Sequence, residues 1–425
     1  MTAAVFLLIL LGTIAFGMPI AFALLFAAIG VMVQLDQFDS QIIVQNAIGG
    51  ADNFVLMAVP FFILAGELMN AGGLSRRIVE LVGAFVGHLR GGLGYVAIVA
   101  AVLLASLSGS AVADTAALAA ILMPMMRRAG YNPERSCGLI AAGGIIAPVI
   151  PPSIGFLLFG VVANVSVTRL FLAGIAPGIY MGLSLVIAWY LVSRREQTGV
   201  APRQPMRERL VLLGRGFWAL LMPVIIIGGL KFGIFTPTEA AVVAAAYALF
   251  VGAVVYRELT LSSIYQCLLI TARTTSVVLI LASLAMVASY MIAIADIPSQ
   301  VGQWLQAFAG SQVLLVAAMM AAVFVAGMVL DFIPIVLIFT PVFMPIALQA
   351  GIDPVYLGVV FIMNCSIGMI TPPVGVVLNV VSSVGRISVA RAARGVLPFL
   401  VAELIVLVAI IVFPSLVQVP AGWWR

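Results

Sequence analysis

The sequence predicts an all-α polytopic membrane protein made of two inverted repeats, each with five spans and one re-entrant hairpin. Three observations predict it. Of the 425 residues 64% are hydrophobic and 8% charged, with a mean hydropathy of +1.26, whereas a soluble domain is about 25% charged. Breaks rich in Pro and Gly recur in the second half at a nearly constant distance from those in the first. The Arg residues gather in loops that one alternation of spans places on a single side.

Composition narrows the function. A span needs about 20 apolar residues, and long apolar runs cover most of this chain. The formal charge of +5 comes from Arg in short loops, which does not describe a nucleic-acid surface. Cys137, Cys267 and Cys365 form no close pair and read as small apolar residues rather than a disulfide or metal set. Residues Met1 to Ala4 carry no Lys or Arg, so the first apolar segment is kept as a span rather than a signal peptide.

The repeat rests on aligned breaks. Met123-Pro124, Ala129-Gly130 and Pro133 return 221 residues later as Met344-Pro345, Ala350-Gly351 and Pro354. Pro151-Pro152 returns as Pro372-Pro373, and Gly174 and Pro177 as Gly395 and Pro398, at the same offset. Pro and Gly fix backbone breaks, so shared spacing implies shared breaks.

In chain order, spans are predicted at 3–16, 19–35 and 53–71, within a first unit of residues 1–72. An amphipathic arm follows at 74–90 (unit 73–91). Unit 92–172 holds a hairpin (92–128) with its tip at Ser106–Ser110 and a broken span (135–165). A last span fills 173–193, and residues 194–216 form a polar linker. The second half repeats the order: spans 217–233, 238–256 and 272–295 (unit 217–296), an arm at 298–309 (unit 297–310), and unit 311–396. That unit holds a hairpin (311–350) with its tip near Gly327–Asp331 and a broken span (354–385). A final span, 397–418, lies in unit 397–425.

Loops rich in Lys and Arg stay in the cytoplasm. Arg194, Arg195, Arg203, Arg207, Arg209 and Arg215 put the linker there, and His88, Arg90, Arg127, Arg128 and Arg135 put the base of the first hairpin there too. The base of the second hairpin has no Lys or Arg and is expected outside. Five crossings per half is odd, which inverts one half relative to the other. Both termini then fall outside, with Trp423-Trp424 at the interface. Inverted repeats that each carry a hairpin and an interrupted span describe a secondary transporter with its site near the midplane. Nothing marks a channel filter.

Gly233-Ile234-Phe235-Thr236-Pro237-Thr238-Glu239-Ala240-Ala241, the paired Pro-Pro breaks, Phe61-Phe62-Ile63-Leu64-Ala65-Gly66-Glu67-Leu68-Met69 and Ser108-Gly109-Ser110 resemble the large membrane subunit of the tripartite ATP-independent periplasmic (TRAP) transporters. The resemblance covers nearly the whole chain. It implies a sodium-coupled importer of organic acids in the bacterial inner membrane, working by an elevator motion. It also implies two partners: a small four-span membrane subunit, separate here, and a periplasmic binding protein. On this reading the hairpins and broken spans form a transport domain, the remaining spans a scaffold, and the two amphipathic segments connecting arms.

The breaks suggest how a site is made. Helix N-termini near Ser110 and Pro152-Ser153 offer free N–H groups and partial positive charge to a carboxylate. The preceding half-helices end near Ser106 and Ala147–Val149 in carbonyls, which with hydroxyls suit a hard cation such as Na+. Gly327–Asp331 and Gly368-Met369-Ile370-Thr371-Pro372-Pro373 repeat the arrangement. The expected substrate set is therefore Ser108, Gly109, Ser110, Asp114, Pro152, Ser153, Asp331, Asn364 and Pro373. The expected Na+ set, for at least two ions, is Ser106, Gly109, Ala147, Val149, Gly327, Asp331, Gly368, Ile370 and Thr371.

Asp331 aligns with Ser110 and either ligates a cation or caps the following helix. Asp114 stands one turn beyond the first tip, and a carboxylate at mid-membrane costs about 3 kcal/mol on insertion scales, which marks it for function. Glu67 and Glu239 read as helix caps or interface pairs, and Lys231 as a snorkelling side chain. No Lys or Arg lies at either tip or break, so an acid's charge is met by helix N-termini and bound Na+. No organic cofactor is implied.

Two rival functions differ in testable ways. A stand-alone sodium:dicarboxylate carrier would show Ser-Asn-Thr triplets at its tips, and none occurs. An intramembrane enzyme would need His88, the only histidine, beside Ser108 or Ser110.

Overall fold

The computed structural model describes residues 2–194, 202–308 and 310–423. Arg195, Ala309 and Trp424, named above in the linker, the second arm and the C-terminus, lie outside the described residues. Twenty α-helices follow one another, with no strand among the described residues. Among the described residues seven helical segments are long and apolar enough to cross a membrane.

The first half opens with α1 (Thr2–Ala15), α2 (Ile20–Gln34), α3 (Ser40–Ala51) and α4 (Ala58–Ala71). Then come α5 (Leu74–Val86), α6 (Gly92–Ser108), α7 (Ala111–Arg128), α8 (Pro133–Gly144), α9 (Ile154–Ala163) and α10 (Val167–Ser193). The second half runs α11 (Met206–Lys231), α12 (Pro237–Phe250), α13 (Leu261–Ile294), α14 (Ile297–Leu305), α15 (Gln312–Gly327), α16 (Phe332–Gln349), α17 (Pro354–Gly368), α18 (Val376–Gly385), α19 (Val389–Val412) and α20 (Ser415–Gly422). The hairpins are α6–α7 and α15–α16, and the interrupted spans are α8–α9 and α17–α18.

Matching local chemistry starts matching helices. Asn132 caps α8 through Glu134 N and Arg135 N, with Pro133 at its first position. At the same offset Asp353 caps α17 through Tyr356 N, with Pro354 following. Pro is tolerated there because that N–H has no helical partner. Thr236 and Glu239 form a capping box at the head of α12, which gives Glu239 its local role.

Several boundaries differ from the expectation. Residues between the second and third predicted spans form α3, capped by Asp39 and too polar, with Gln41, Gln45 and Asn46, to read as apolar sequence. Helix α11 begins at Met206, so the described part of the predicted linker is largely helical. Helix α13 begins at Leu261, where Thr260 and Ser263 form a cap, and its 34 residues extend about 51 Å. Pro414 separates α19 from α20.

Helices α8 and α17 lie at the centre, their residues from Ser136 and from Tyr356 onward buried throughout. Each hairpin packs on its own repeat's interrupted span, and its second helix also reaches the other's: α7 packs on α18, and α16 on α9. Arg127 of α7 donates to Gly385 O at the end of α18 (2.7 Å), and Arg391 of α19 pairs with Glu134 of α8 (2.6 Å). Elsewhere α4 packs on α12, whose buried residues include Ala240, Ala241 and Ala244, Gly66 of α4 faces Ser108, and α13 covers α2 and α3. Small residues let membrane helices approach closely. Arg76 and Arg77 of α5 both reach Glu258, just beyond α12 (2.7 Å each).

Candidate functional site

The first tip turns on Gly109, whose φ of +64° falls in the left-handed region that glycine enters without penalty. Ser110 follows as the N-cap of α7, accepting from Ala113 N at 3.4 Å. Ser108 Oγ donates to Asp114 Oδ1 at 2.5 Å and accepts from Ser110 N at 3.2 Å. Asp114 therefore binds the two sides of the tip together. Its Oδ2 is buried and accepts no hydrogen bond from a described residue. Ser106 Oγ donates to Leu103 O at 2.6 Å, within its own helix.

The first break sits against this tip. A Cβ placed on Gly109 would come within 2.2 Å of Pro152 O, and one on Gly144 within 1.7 Å of Thr115 Oγ1. Ser153 Oγ donates to Pro148 O (2.5 Å) and accepts from Phe156 N (3.2 Å), fixing the turn and capping α9. Ile146 O accepts from both Val149 N and Ile150 N. The carbonyls of Ala147 and Val149 accept no hydrogen bond from a described residue, and that of Val149 is turned to Gly174 of α10.

The second tip and break are also in contact. Gly327 and Gly368 meet backbone to backbone, with a Cβ on Gly368 falling 2.9 Å from Gly327 Cα. Val374 N donates to Met328 O at 3.3 Å. Thr371 Oγ1 donates to Ile367 O at 2.9 Å, and Ile370 O accepts nothing from a described residue. Asp331 is the N-cap of α16 and accepts from Phe332 N at 2.7 Å. Asn364 is fully buried; its Nδ2 donates to Met320 O at 2.6 Å, while its Oδ1 has no partner among the described residues. The peptide bonds Pro151–Pro152 and Pro372–Pro373 are both cis.

The halves differ in exposure. Ser108, Gly109, Pro151, Pro152 and Ser153 are buried, whereas Asp331, Pro373 and Val374 are exposed. Helix α18 starts after Gly375 (φ +48°) with no side-chain cap, and Val377 N in its first turn donates to Met369 O at 3.1 Å. The two halves touch where Phe332, just after Asp331, lies against Gly155 in the first turn of α9.

Some residues escape a reading of sequence alone. Asn379 is exposed and donates to Val374 O at 3.0 Å, bracing the second turn. Glu403 is fully buried in α19, and neither carboxylate oxygen receives a hydrogen bond of ordinary geometry. Ser184 of α10 faces it, but that hydroxyl donates to Met181 O. Glu403 is the one acidic residue of its apolar span, and that alone is a signal for function. His88 lies at the opposite end of α6 from Ser108, about 25 Å away at 1.5 Å per residue, which removes the Ser/His pairing. Among the described residues no group of three His, Cys, Asp or Glu could hold a metal ion, so a cation here would rely on carbonyls, hydroxyls and at most one carboxylate per break.

A family model for the tripartite ATP-independent periplasmic transporter, DctM component, matches residues 7–416. The chain belongs to this family. It is 52% identical over 423 residues to the 2,3-diketo-L-gulonate TRAP transporter large permease protein YiaN of Escherichia coli, covering 100% of both chains. It is 39% identical to the sialic acid TRAP transporter large permease protein SiaM of Vibrio cholerae, covering 95% of each. It is 36% identical to the C4-dicarboxylate TRAP transporter large permease protein DctM of Pseudomonas aeruginosa, covering 88% of this chain and 87% of the other. Among solved structures, the YdaH transporter of Alcanivorax borkumensis has a similar fold, with a TM-score of 0.64 and 17% identity over 90% of this chain and 88% of that one. As a TRAP large permease, the chain is a multi-pass membrane protein whose relatives are transporters rather than enzymes.

Proposed function

We propose that this permease imports an organic acid together with Na+, through the two tip-and-break sites. The observation that carries the reading is the close seating of each tip on its break, Gly109 on Pro152 and Gly327 on Gly368. Each junction brings helix N-termini beside unbonded carbonyls. In the first site Na+ is held by the carbonyls of Ala147 and Val149, with Ser106, Gly109 and the free oxygen of Asp114 nearby. In the second, Gly327, Gly368, Ile370, Thr371 and Asp331 supply the oxygens. The carboxylate of the substrate is met by the N–H groups of Gly375 and Val376 at the uncapped start of α18, beside Pro373, and by the Ser108–Ser110 and Pro152–Ser153 turns, with Asn364 behind. No basic side chain lies at either site, so bound cations neutralise the acid and make its passage depend on Na+.

The contacts Arg127–Gly385 and Arg391–Glu134 support a single moving unit that joins both hairpins and both interrupted spans. Gly138 and Gly395 approach backbone to backbone, which favours counting α19, and with it α10, in that unit. The α4–α12 pair, with α1–α3, α11 and α13, is the scaffold along which the unit slides, the halves being inverted. Helices α5 and α14 link the two parts. The termini and the Lys231 end of α11 lie in the periplasm, and the Arg-rich ends lie in the cytoplasm of the cell that holds this inner-membrane protein. A separate four-span subunit joins the scaffold, and a periplasmic binding protein delivers the acid.

The relatives transport sugar acids and dicarboxylates, and 2,3-diketo-L-gulonate is the first compound to test. Uptake into proteoliposomes carrying the chain, the small subunit and the binding protein is expected to collapse when choline replaces Na+. Unchanged uptake would reject the coupling. Equal uptake by the chain alone would favour a stand-alone symporter instead.

A further inference from the structure

Helix α18 answers to α9 in the repeat, and the two are unlike in chemistry. Helix α9, Ile154–Ala163, has no polar side chain, whereas α18, Val376–Gly385, has Asn379, Ser382 and Ser383. Ser382 is buried, and its Oγ donates to Asn379 O at 2.9 Å. Asn379 and Ser383 are exposed and four residues apart, which sets them on one face about 6 Å apart along the axis. Helix α9 packs on α10, α16 and α17 and also on α4, whereas α18 packs on α7, α8 and α19. The face of α18 turned away from those three carries the two polar residues, and it begins at the exposed Pro373 and Val374.

We infer that this edge of α18 binds the hydroxyl and keto oxygens of the transported acid, and so favours a polyoxygenated acid over a bare dicarboxylate. The inference rests on the reading above that the cargo is an organic acid whose carboxylate meets the head of α18. Polar side chains within a membrane span face protein or a water-filled cavity rather than lipid. An interrupted helix at mid-membrane is where transporters place their substrate. The edge is therefore wet and continuous with the second break, where Asp331 is exposed too. Its polar groups are also free to bind. Asn379 Nδ2 donates to Val374 O at 3.0 Å, and neither Asn379 Oδ1 nor the hydroxyl of Ser383 is bonded to a described residue. A free amide oxygen accepts from a hydroxyl, and a free serine hydroxyl donates to a keto oxygen. An acid held by its carboxylate at Gly375 and Val376 lays its remaining oxygens along the next two turns, at Asn379 and then Ser383. Succinate, whose middle carbons carry no oxygen, offers this edge neither a hydroxyl nor a keto group.

The test uses the purified full chain in nanodiscs with saturating Na+ and reads dissociation constants by thermal shift. Asn379→Ala and Ser383→Ala are each expected to raise the constant for 2,3-diketo-L-gulonate about tenfold, and to change that for succinate less than about twofold. Loss of the Asn379 brace on Val374 alone would weaken both acids by the same factor, and that result would overturn the inference. So would an unchanged constant for 2,3-diketo-L-gulonate. Ser383→Ala removes no hydrogen bond to a described residue, so it decides the matter if Asn379→Ala fails to fold. The native cysteines are buried, which makes Ser383→Cys a reporter of water at this edge. That variant is expected to react with N-ethylmaleimide, which needs a solvated thiolate, and to react about fivefold more slowly with 2,3-diketo-L-gulonate present. No reaction in the folded protein would place the edge against lipid and overturn the inference. Binding of neither acid by the unsubstituted chain would instead reject the organic-acid reading, and the role of this edge with it.

Discussion

Ser108 donates its hydroxyl to Asp114 at 2.5 Å across the first tip, leaving Asp114 Oδ2 buried and unpartnered among the described residues. One oxygen braces the turn, and the other is the one proposed to meet Na+. Asp114→Asn keeps an oxygen for Ser108 but removes the charge. The Na+ concentration for half-maximal uptake is expected to rise about tenfold while the protein stays folded. Uptake titrated against Na+ checks this, and an unchanged titration would reduce Asp114 to a brace.

Gly109 is held in place twice over, by a φ of +64° and by Pro152 O at 2.2 Å from where a Cβ would stand. The left-handed conformation alone costs a non-glycine residue about 1–2 kcal/mol, and the oxygen it would strike belongs to backbone. Gly109→Ala should lower the melting temperature and stop uptake. Gly228→Ala, in α11 with nothing within 4 Å of its Cβ position, should do neither. Thermal unfolding of the two purified variants side by side decides it.

Ser153 is buried and makes two bonds at the first break, to Pro148 O and from Phe156 N. Ser153→Ala strands both backbone groups away from water. A loss of about 1–3 kcal/mol of stability is expected, measurable by denaturation in detergent. Ser153→Thr should restore most of it.

The sequence made the breaks legible because Pro and Gly impose them whatever surrounds them. The tip at Gly109, the cap at Ser153 and the paired prolines all lie where spacing put them. The ends of α3, α11 and α13 were hidden because caps such as Asp39 and Thr260 extend helices into polar sequence that hydropathy reads as loop. What the alignment of halves did not reveal is their inequality. Ser110 and Asp331 share a register, yet the first tip is enclosed and the second is exposed, since exposure depends on packing such as Phe332 on Gly155. Glu403 was passed over because its neighbours form an unbroken apolar span; a search for single charges within spans would have found it.

Glu403 has no hydrogen bond of ordinary geometry to either oxygen and is fully buried. A lone buried carboxylate costs stability through its lost hydration, and even buried ion pairs are often replaced by apolar residues of similar volume with no loss or a gain of about 1–4 kcal/mol. Glu403→Leu should therefore raise the melting temperature of the purified protein or leave it unchanged. A fall of similar size would mean that the carboxylate is paired in the membrane with a bound cation.

In the proposed elevator motion both hairpins and both interrupted spans move as one body past α4 and α12. Phe62 of α4 and Phe171 of α10 meet across the proposed boundary with ring centroids 6.3 Å apart, whereas Glu134 and Arg391 meet within the proposed moving body. The direct measurement is Na+-driven uptake by two double-cysteine variants in a background lacking the native cysteines, before and after cross-linking with a short bismaleimide. Joining positions 62 and 171 should abolish uptake, and joining 134 and 391 should leave it intact. Full uptake with 62 and 171 joined would rule out a sliding motion at this boundary.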